Sequence, residues 1–309
     1  MTGILELIGN TPLVEISHLD CGPCRLFVKL ESCNPTGSIK DRIARGMIEA
    51  AEQSGKIKPG DTLIEATAGN TGAALALVAA LKGYKLILVT LDKMAPATIL
   101  QCKALGAEVH VTKAALTNEN PDYYQNIAIR IAKERGVFYV NQFDNPANPA
   151  AHEATTGPEI WRQMEQNVDA VICGVGSGGT IAGLSRYFAR RSPKTEMILA
   201  DPVGSILAPL VNTGEKITPG SWRVVGIGED FVPPNVDIKT IKKAYSISDE
   251  ESFQTVRDLL REEGISAGLS SGTLMAASLR WCREQKTPKR AVTFVCDRGE
   301  KYLEKVFQT

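Results

Sequence analysis

The 309-residue sequence predicts an α/β molecule in which parallel sheets are covered by helices on both faces. Two observations carry this. Short β-rich runs alternate with helix-period stretches from end to end. The sustained single periodicity that an all-α bundle or a β-sandwich requires is absent.

In chain order, a strand at 26–30 (Leu-Phe-Val-Lys-Leu) precedes a helix near 41–53. A strand at 62–65 leads through a small-residue loop into an Ala/Leu-rich helix at 71–81, and a strand at 85–90 leads into a helix at 96–105. Next come a strand at 108–111, a helix near 123–135 and a strand at 137–140. A helix near 151–164 precedes a strand at 170–173, a helix at 179–191 and a strand at 197–200. The last third offers helices at 250–263 and 271–285, a strand at 291–295 and a short final helix. The Asn- and Pro-rich segment 141–149 is the best hinge candidate. A second loop-rich stretch, 213–234, holds four glycines, and loops of that length in compact enzymes are often functional.

Composition narrows the function classes. With 43% hydrophobic and 23% charged residues the chain reads as globular and long enough for two domains. Lys plus Arg balance Asp plus Glu at 35 each, which gives no electrostatic reason to expect nucleic acid or a membrane surface. Glu6 and Glu15 near the start do not fit a signal peptide, and the longest apolar run, 73–81, is too short for a bilayer. A cytoplasmic protein is expected. Seven cysteines suggest no disulfide framework, and no ligand-spaced histidines accompany them, so no metal site is expected. Cys21-Gly22-Pro23-Cys24 has the spacing of a thioredoxin site but reads as a turn before a strand, since no helix follows to lower a thiol pKa.

Three segments carry chemistry. In 34–42, Pro35, Gly37 and Ser38 form a turn that places Lys40 where a helix begins. The positive end of the helix and burial both favour the neutral amine that Schiff-base chemistry needs, although spacing alone favours an ordinary surface lysine. In 65–72, the hydroxyls of Thr67 and Thr71 and the backbone N–H groups sit at a helix N-terminus, a cradle for a carboxylate. In 174–180, four glycines between strand and helix let the backbone approach a phosphate. Gly174-x-Gly176-x-x-Gly179 also fits a dinucleotide fingerprint, with Asp201 as the only acidic candidate at the end of the next strand, so both readings stay open.

Taken together the segments resemble the fold-type II pyridoxal-phosphate (PLP) enzymes, specifically the cysteine synthase and cystathionine β-synthase family. The opening Leu7-Ile8-Gly9-Asn10-Thr11-Pro12-Leu13, the lysine segment Pro35 to Arg42, the asparagine loop, Thr155-Thr156-Gly157-Pro158-Glu159 and the glycine loop all match its motifs. The resemblance implies two three-layer α/β/α domains with the active site between them: a smaller, mobile unit at 36–145, and a larger one formed by 1–35 and 146–309. It implies that Lys40 carries the cofactor as a Schiff base and acts as acid and base at Cα. Asn70 would bond the cofactor's 3′-oxygen, Gly176, Ser177, Gly178, Gly179 and Thr180 its phosphate, and Ser270 would face its pyridine nitrogen. Thr67, Ala68, Gly69, Thr71, Gln142 and Gly226 would line the substrate site.

The implied reaction is β-replacement on L-serine or O-acetylserine by a thiol. The segments 201–207 and 226–231 look closer to cystathionine β-synthases, which use homocysteine. Cysteine synthase, with sulfide as nucleophile, is the alternative, and a lyase releasing hydrogen sulfide or pyruvate is a third reading. Ala68 stands where relatives usually have Ser, and Val225 where cystathionine β-synthases usually place a glutamate. The family also implies a homodimer and, for cysteine synthases, a serine acetyltransferase partner. His18 and His110 are read as surface residues, His152 as a support for the Thr-Thr-Gly-Pro segment, and Arg42 as a brace.

Overall fold

Two sheets organise the chain in the computed structural model, which describes residues 3–114 and 119–307. The strands are β1 (Leu13–Glu15), β2 (Arg25–Leu30), β3 (Thr62–Ala66), β4 (Lys85–Leu91), β5 (Glu108–Thr112), β6 (Phe138–Tyr139), β7 (Ala170–Cys173), β8 (Glu196–Pro202), β9 (Lys243–Ile247) and β10 (Arg290–Val295). The first helices are α1 (Lys40–Gln53), α2 (Asn70–Lys82), α3 (Pro96–Ala104), α4 (Tyr124–Arg135), α5 (Ala147–Ala151) and α6 (Gly157–Gln163). After them come α7 (Gly179–Arg191), α8 (Leu207–Thr213), α9 (Asp249–Glu263), α10 (Leu269–Arg283) and α11 (Leu303–Phe307).

The larger sheet has the order β1-β2-β10-β7-β8-β9 and the smaller β5-β4-β3-β6. Every neighbouring pair is parallel except β1 and β2, so the expected parallel architecture carries one antiparallel edge strand. The inner strands read as continuous apolar runs because both faces are covered. The pleat shows directly in the smaller sheet. Leu63 and Leu88 pack with Ile43, Met47 and Leu75 of α1 and α2, while Ile64, Ile87 and Val89 turn to the opposite face and meet Ala128 of α4.

The sequence-predicted elements appear with shifted ends, and three others were not foreseen: β1, β9 and α8. β1 is too short to show a period, and β9 and α8 lie beside the loop-rich stretch, where the pattern is broken. The expected helix at 151–164 is in fact α5, a π-helical turn at His152–Thr156, and α6. The wider turn lies where glycines of α1 and α7 press in. A Cβ on Gly46 would lie 2.7 Å from the Ala151 Cβ, and one on Gly183 would lie 2.8 Å from the His152 Cβ. No helix among the described residues is long and apolar enough to cross a membrane.

A buried charged cluster ties α1 to the larger sheet. Arg42 donates to Glu31 (2.7 Å) and Glu159 (2.7 Å), and Lys29, on β2 and wholly buried, pairs with the same Glu159 at 2.9 Å. The adjacent arginine and lysine hold the Glu159 carboxyl down at about 2, against burial that would raise it. Arg42 is therefore a brace, as its place after Lys40 suggested.

Candidate active site

In open α/β sheets ligands bind beyond the carboxyl ends of the strands, and four such ends meet here. The segment after β2 carries Lys40, that after β3 the asparagine loop, that after β7 the glycine loop, and that after β10 the residues Cys296 to Arg298.

Lys40 begins α1. Its loop is pinned to the segment after β10: Ile39 N–H donates to the Cys296 carbonyl (2.8 Å) and Arg298 N–H to that of Gly37 (3.2 Å). Gly37 has φ +81°, a conformation that favours glycine. Asp41 folds back to bond both the N–H and the hydroxyl of Thr36. The Lys40 amine makes no hydrogen bond or ion pair among the described residues, in contrast to Lys29. Burial lowers its pKa, opposed by Cys296, Glu229 and Asp297, which shifts the amine toward its neutral form relative to an exposed lysine.

The glycine loop shows why its residues are small. A Cβ on Gly176 would lie 2.5 Å from the Gly226 carbonyl, one on Gly178 (φ +81°) would strike Val236, and one on Gly179 would collide with Asn148. Packed from behind in this way, the loop leaves its backbone donors free. The N–H groups of Gly176, Ser177, Gly178, Gly179, Thr180 and Ile181 find no acceptor among the described residues. Six free donors at a helix N-terminus suit a multiply charged anion. The buried His152 links Thr180 (3.2 Å) to Thr156 (2.9 Å), and burial keeps its pKa well below the usual range, so it acts as a neutral support.

The asparagine loop has a second set of free donors, the N–H groups of Ala68, Asn70 and Thr71. Thr71 Oγ1 donates to Gln142 Oε1 (2.8 Å), and Thr67, Thr71 and Gln142 are all buried. Asn148 joins this cradle to the glycine loop by donating to the Gln142 carbonyl (2.7 Å) and to Ser177 Oγ (2.9 Å). Asn235 likewise spans the carbonyls of Gln142 and Ser177.

Sequence reading missed several members of the site. Asn70 Nδ2 donates to Asp297 (2.8 Å), its Oδ1 accepts from Lys301 (2.8 Å), and Tyr302 also donates to Asp297 (2.7 Å). The carboxamide of Asn70 is thus oriented by the chain's last segment. Ser270, at the start of α10, interacts with the Cys296 thiol, whose pKa burial raises to about 12. Gly226 (φ +88°) is exposed at the rim, where Phe231 meets Phe143 with ring centres 5.8 Å apart. Cys21 and Cys24 are buried free thiols raised mainly by burial, the opposite of a redox-active pair.

A lysine with an unpaired amine facing a helix-capped anion cradle is the donor set of a PLP site, and comparison with protein families agrees. Residues 4–297 match the family model described as "Pyridoxal-phosphate dependent enzyme". Cysteine synthase A of Escherichia coli (strain K12) is 42% identical over 299 residues, 96% of this chain and 92% of that protein.

The chain belongs to the cysteine synthase and cystathionine β-synthase family of PLP enzymes.

Cystathionine β-synthase of Apis mellifera is 39% identical over 99% of this chain, which spans 61% of that longer protein. Among solved structures, a hydrogen sulfide-producing enzyme from Fusobacterium nucleatum superposes with a TM-score of 0.90 at 35% identity, covering 98% of this chain and 100% of that one. The two-sheet architecture is therefore that of a fold-type II PLP enzyme, and the activity is PLP-dependent β-replacement. The family's cofactor fits the residues present: the free donors of 176–181 match its phosphate, and the unpaired Lys40 amine matches its aldehyde.

Proposed function

We propose that this enzyme joins a thiol to the β-carbon of L-serine or O-acetylserine, with homocysteine as the thiol and cystathionine as the product. The observation that carries the reading is the Lys40 amine, its pKa lowered by burial and without a partner among the described residues, together with the free N–H donors of the glycine and asparagine loops. Lys40 would bond the cofactor, Gly176, Ser177, Gly178, Gly179 and Thr180 would hold its phosphate, Ser270 would serve its ring nitrogen, and Asn70 its 3′-oxygen. Thr67, Ala68, Gly69, Thr71 and Gln142 bind the substrate carboxylate, with Gly226 at the rim.

When bound, PLP supplies the electron sink that lets the Cα proton and the β-substituent depart. The chain's own residues do the rest. Lys40 Nζ takes the Cα proton and returns it after the thiol has added. The 67–71 cradle fixes the carboxylate, which sets the direction of the Cα–H bond. The smaller unit, 36–145, closes on the larger, 1–35 and 146–309, and excludes water from the reacting carbon.

Sulfide as nucleophile is the second reading, supported by the 42% identity to cysteine synthase A, and release of hydrogen sulfide or pyruvate is the third, supported by the likeness to the Fusobacterium nucleatum enzyme. Product analysis crossing serine and O-acetylserine with sulfide and homocysteine separates them. Cystathionine is the expected main product, and a preference for sulfide overturns the choice of thiol. Borohydride reduction of the holoenzyme should leave the pyridoxyl label on the Lys40 peptide. A label elsewhere removes the assigned roles. A homodimer completes the proposal. If the subunit has a serine acetyltransferase partner, the partner's terminal carboxylate would compete with substrate for the 67–71 cradle.

A further inference from the structure

One carboxyl group in the cleft has no part in these roles. Glu229 follows the turn at Gly226–Gly228, and its backbone is clamped at three points. Its N–H donates to Ser205 Oγ (3.1 Å), and its carbonyl accepts from Ser205 Oγ (3.1 Å) and Ile206 N–H (3.1 Å). The turn itself is tied to the glycine loop, with Gly228 N–H donating to the Val175 carbonyl at 2.8 Å. This places Glu229 Oε1 4.0 Å from where a Cβ of Gly176 would stand, within electrostatic reach of Lys40.

Against that fixed backbone the head group is bare. The Glu229 carboxyl makes no hydrogen bond or ion pair among the described residues, and its side chain is only half-buried beside the glycine loop. An unpaired carboxyl among protein atoms costs stability, and a ligand that pairs with it offsets the cost. The charged groups around it are Asp230 and Asp201, of its own sign, and Lys40 and Lys93, of the opposite sign. Burial first, and then Asp230, raise its pKa well above the usual carboxylate range, and a cation beside it would favour the ionised form.

We propose that Glu229 receives the ammonium group of the incoming thiol, which makes the second substrate an amino-acid thiol rather than inorganic sulfide. The inference rests on the β-replacement reading above and specifies its nucleophile. The first amino acid has no use for this carboxylate, since its amino group is committed to the cofactor and its carboxylate to the 67–71 cradle. An ammonium gains a charge-assisted hydrogen bond from Glu229. Sulfide offers no positive group for Glu229 to pair with, and its anion is repelled by the exposed Asp230 at the rim.

The test uses the PLP-loaded enzyme with O-acetylserine saturating and two thiols that differ only in the amine, homocysteine and 4-mercaptobutyrate. The readout is the ratio of their kcat/KM values, which a general loss of folding does not move. In Glu229→Gln the ratio falls at least tenfold, chiefly through the KM for homocysteine, and Glu229→Asp restores part of it. An unchanged ratio in Glu229→Gln, with thioether still formed, overturns the role of Glu229 alone. Wild-type enzyme that yields only pyruvate with every thiol overturns the β-replacement reading, and this inference with it.

Discussion

Two lysines, Lys29 buried and Lys40 half-buried, separate structural from chemical charge at the scale of single residues. Lys29 is surrounded by the Thr11 carbonyl (3.0 Å), Gln163 (2.9 Å) and Glu159 (2.9 Å), so its charge is spent on holding three segments together. Lys40 has no such company among the described residues, and an unpaired amine whose pKa is lowered is a candidate for covalent work. Glu159, between Lys29 and Arg42, gives the residue-scale prediction. Its carboxyl lies at about 2 in the folded chain against a reference of 4.5. A depressed acid contributes stability that is fully present above about pH 4.5 and lost as the pH falls toward 2. Urea midpoints measured across that window should fall more steeply for wild type than for Glu159→Gln. Parallel curves would show that the carboxylate is not the acid-sensitive group.

Helices and loops meet here at distances only glycine allows, and the consequence is clearest in α7. The first residue of that helix, Gly179, abuts Asn148, whose amide spans the two anion cradles. Gly179→Ala should displace Asn148, destabilise the fold by about 1–3 kcal/mol and lower PLP content in equilibrium dialysis. Normal PLP affinity in a stable variant would contradict the packing account. The element-scale features were legible in the sequence for the same reason they matter: glycine-rich strand-to-helix turns advertise close backbone approach. Asp297 and Lys301 were not legible. Their bonds to Asn70 join residues more than 200 positions apart, and an aspartate after a buried strand has no local signature. Glu229 sat inside a recognised turn motif, but only the fold could show that its carboxyl lacks a partner.

Over the whole molecule, α1 packs on the smaller sheet while Arg42 reaches the larger one. Removing that guanidinium leaves Glu31 and Glu159 buried with less counter-charge. Arg42→Ala should cost about 3–5 kcal/mol, and it should split one unfolding transition into two as the sheets lose their common brace. Calorimetry reads both effects, and a single transition at the wild-type midpoint would refute them. The two-sheet division was legible from alternating elements, whereas the splitting of the 151–164 helix was not, because the π-turn is set by glycines on other helices. The strand order carries a further consequence, for synthesis. β2 adjoins the rest of its sheet only through β10, so the first thirty residues leave the ribosome without a parallel neighbour. They wait for residues 290–295, and with them arrive Cys296 and Asp297, which fasten Ile39, the neighbour of Lys40, and Asn70. Cofactor loading is therefore expected only after translation has passed the last strand, and PLP found on chains stalled before residue 290 would contradict this.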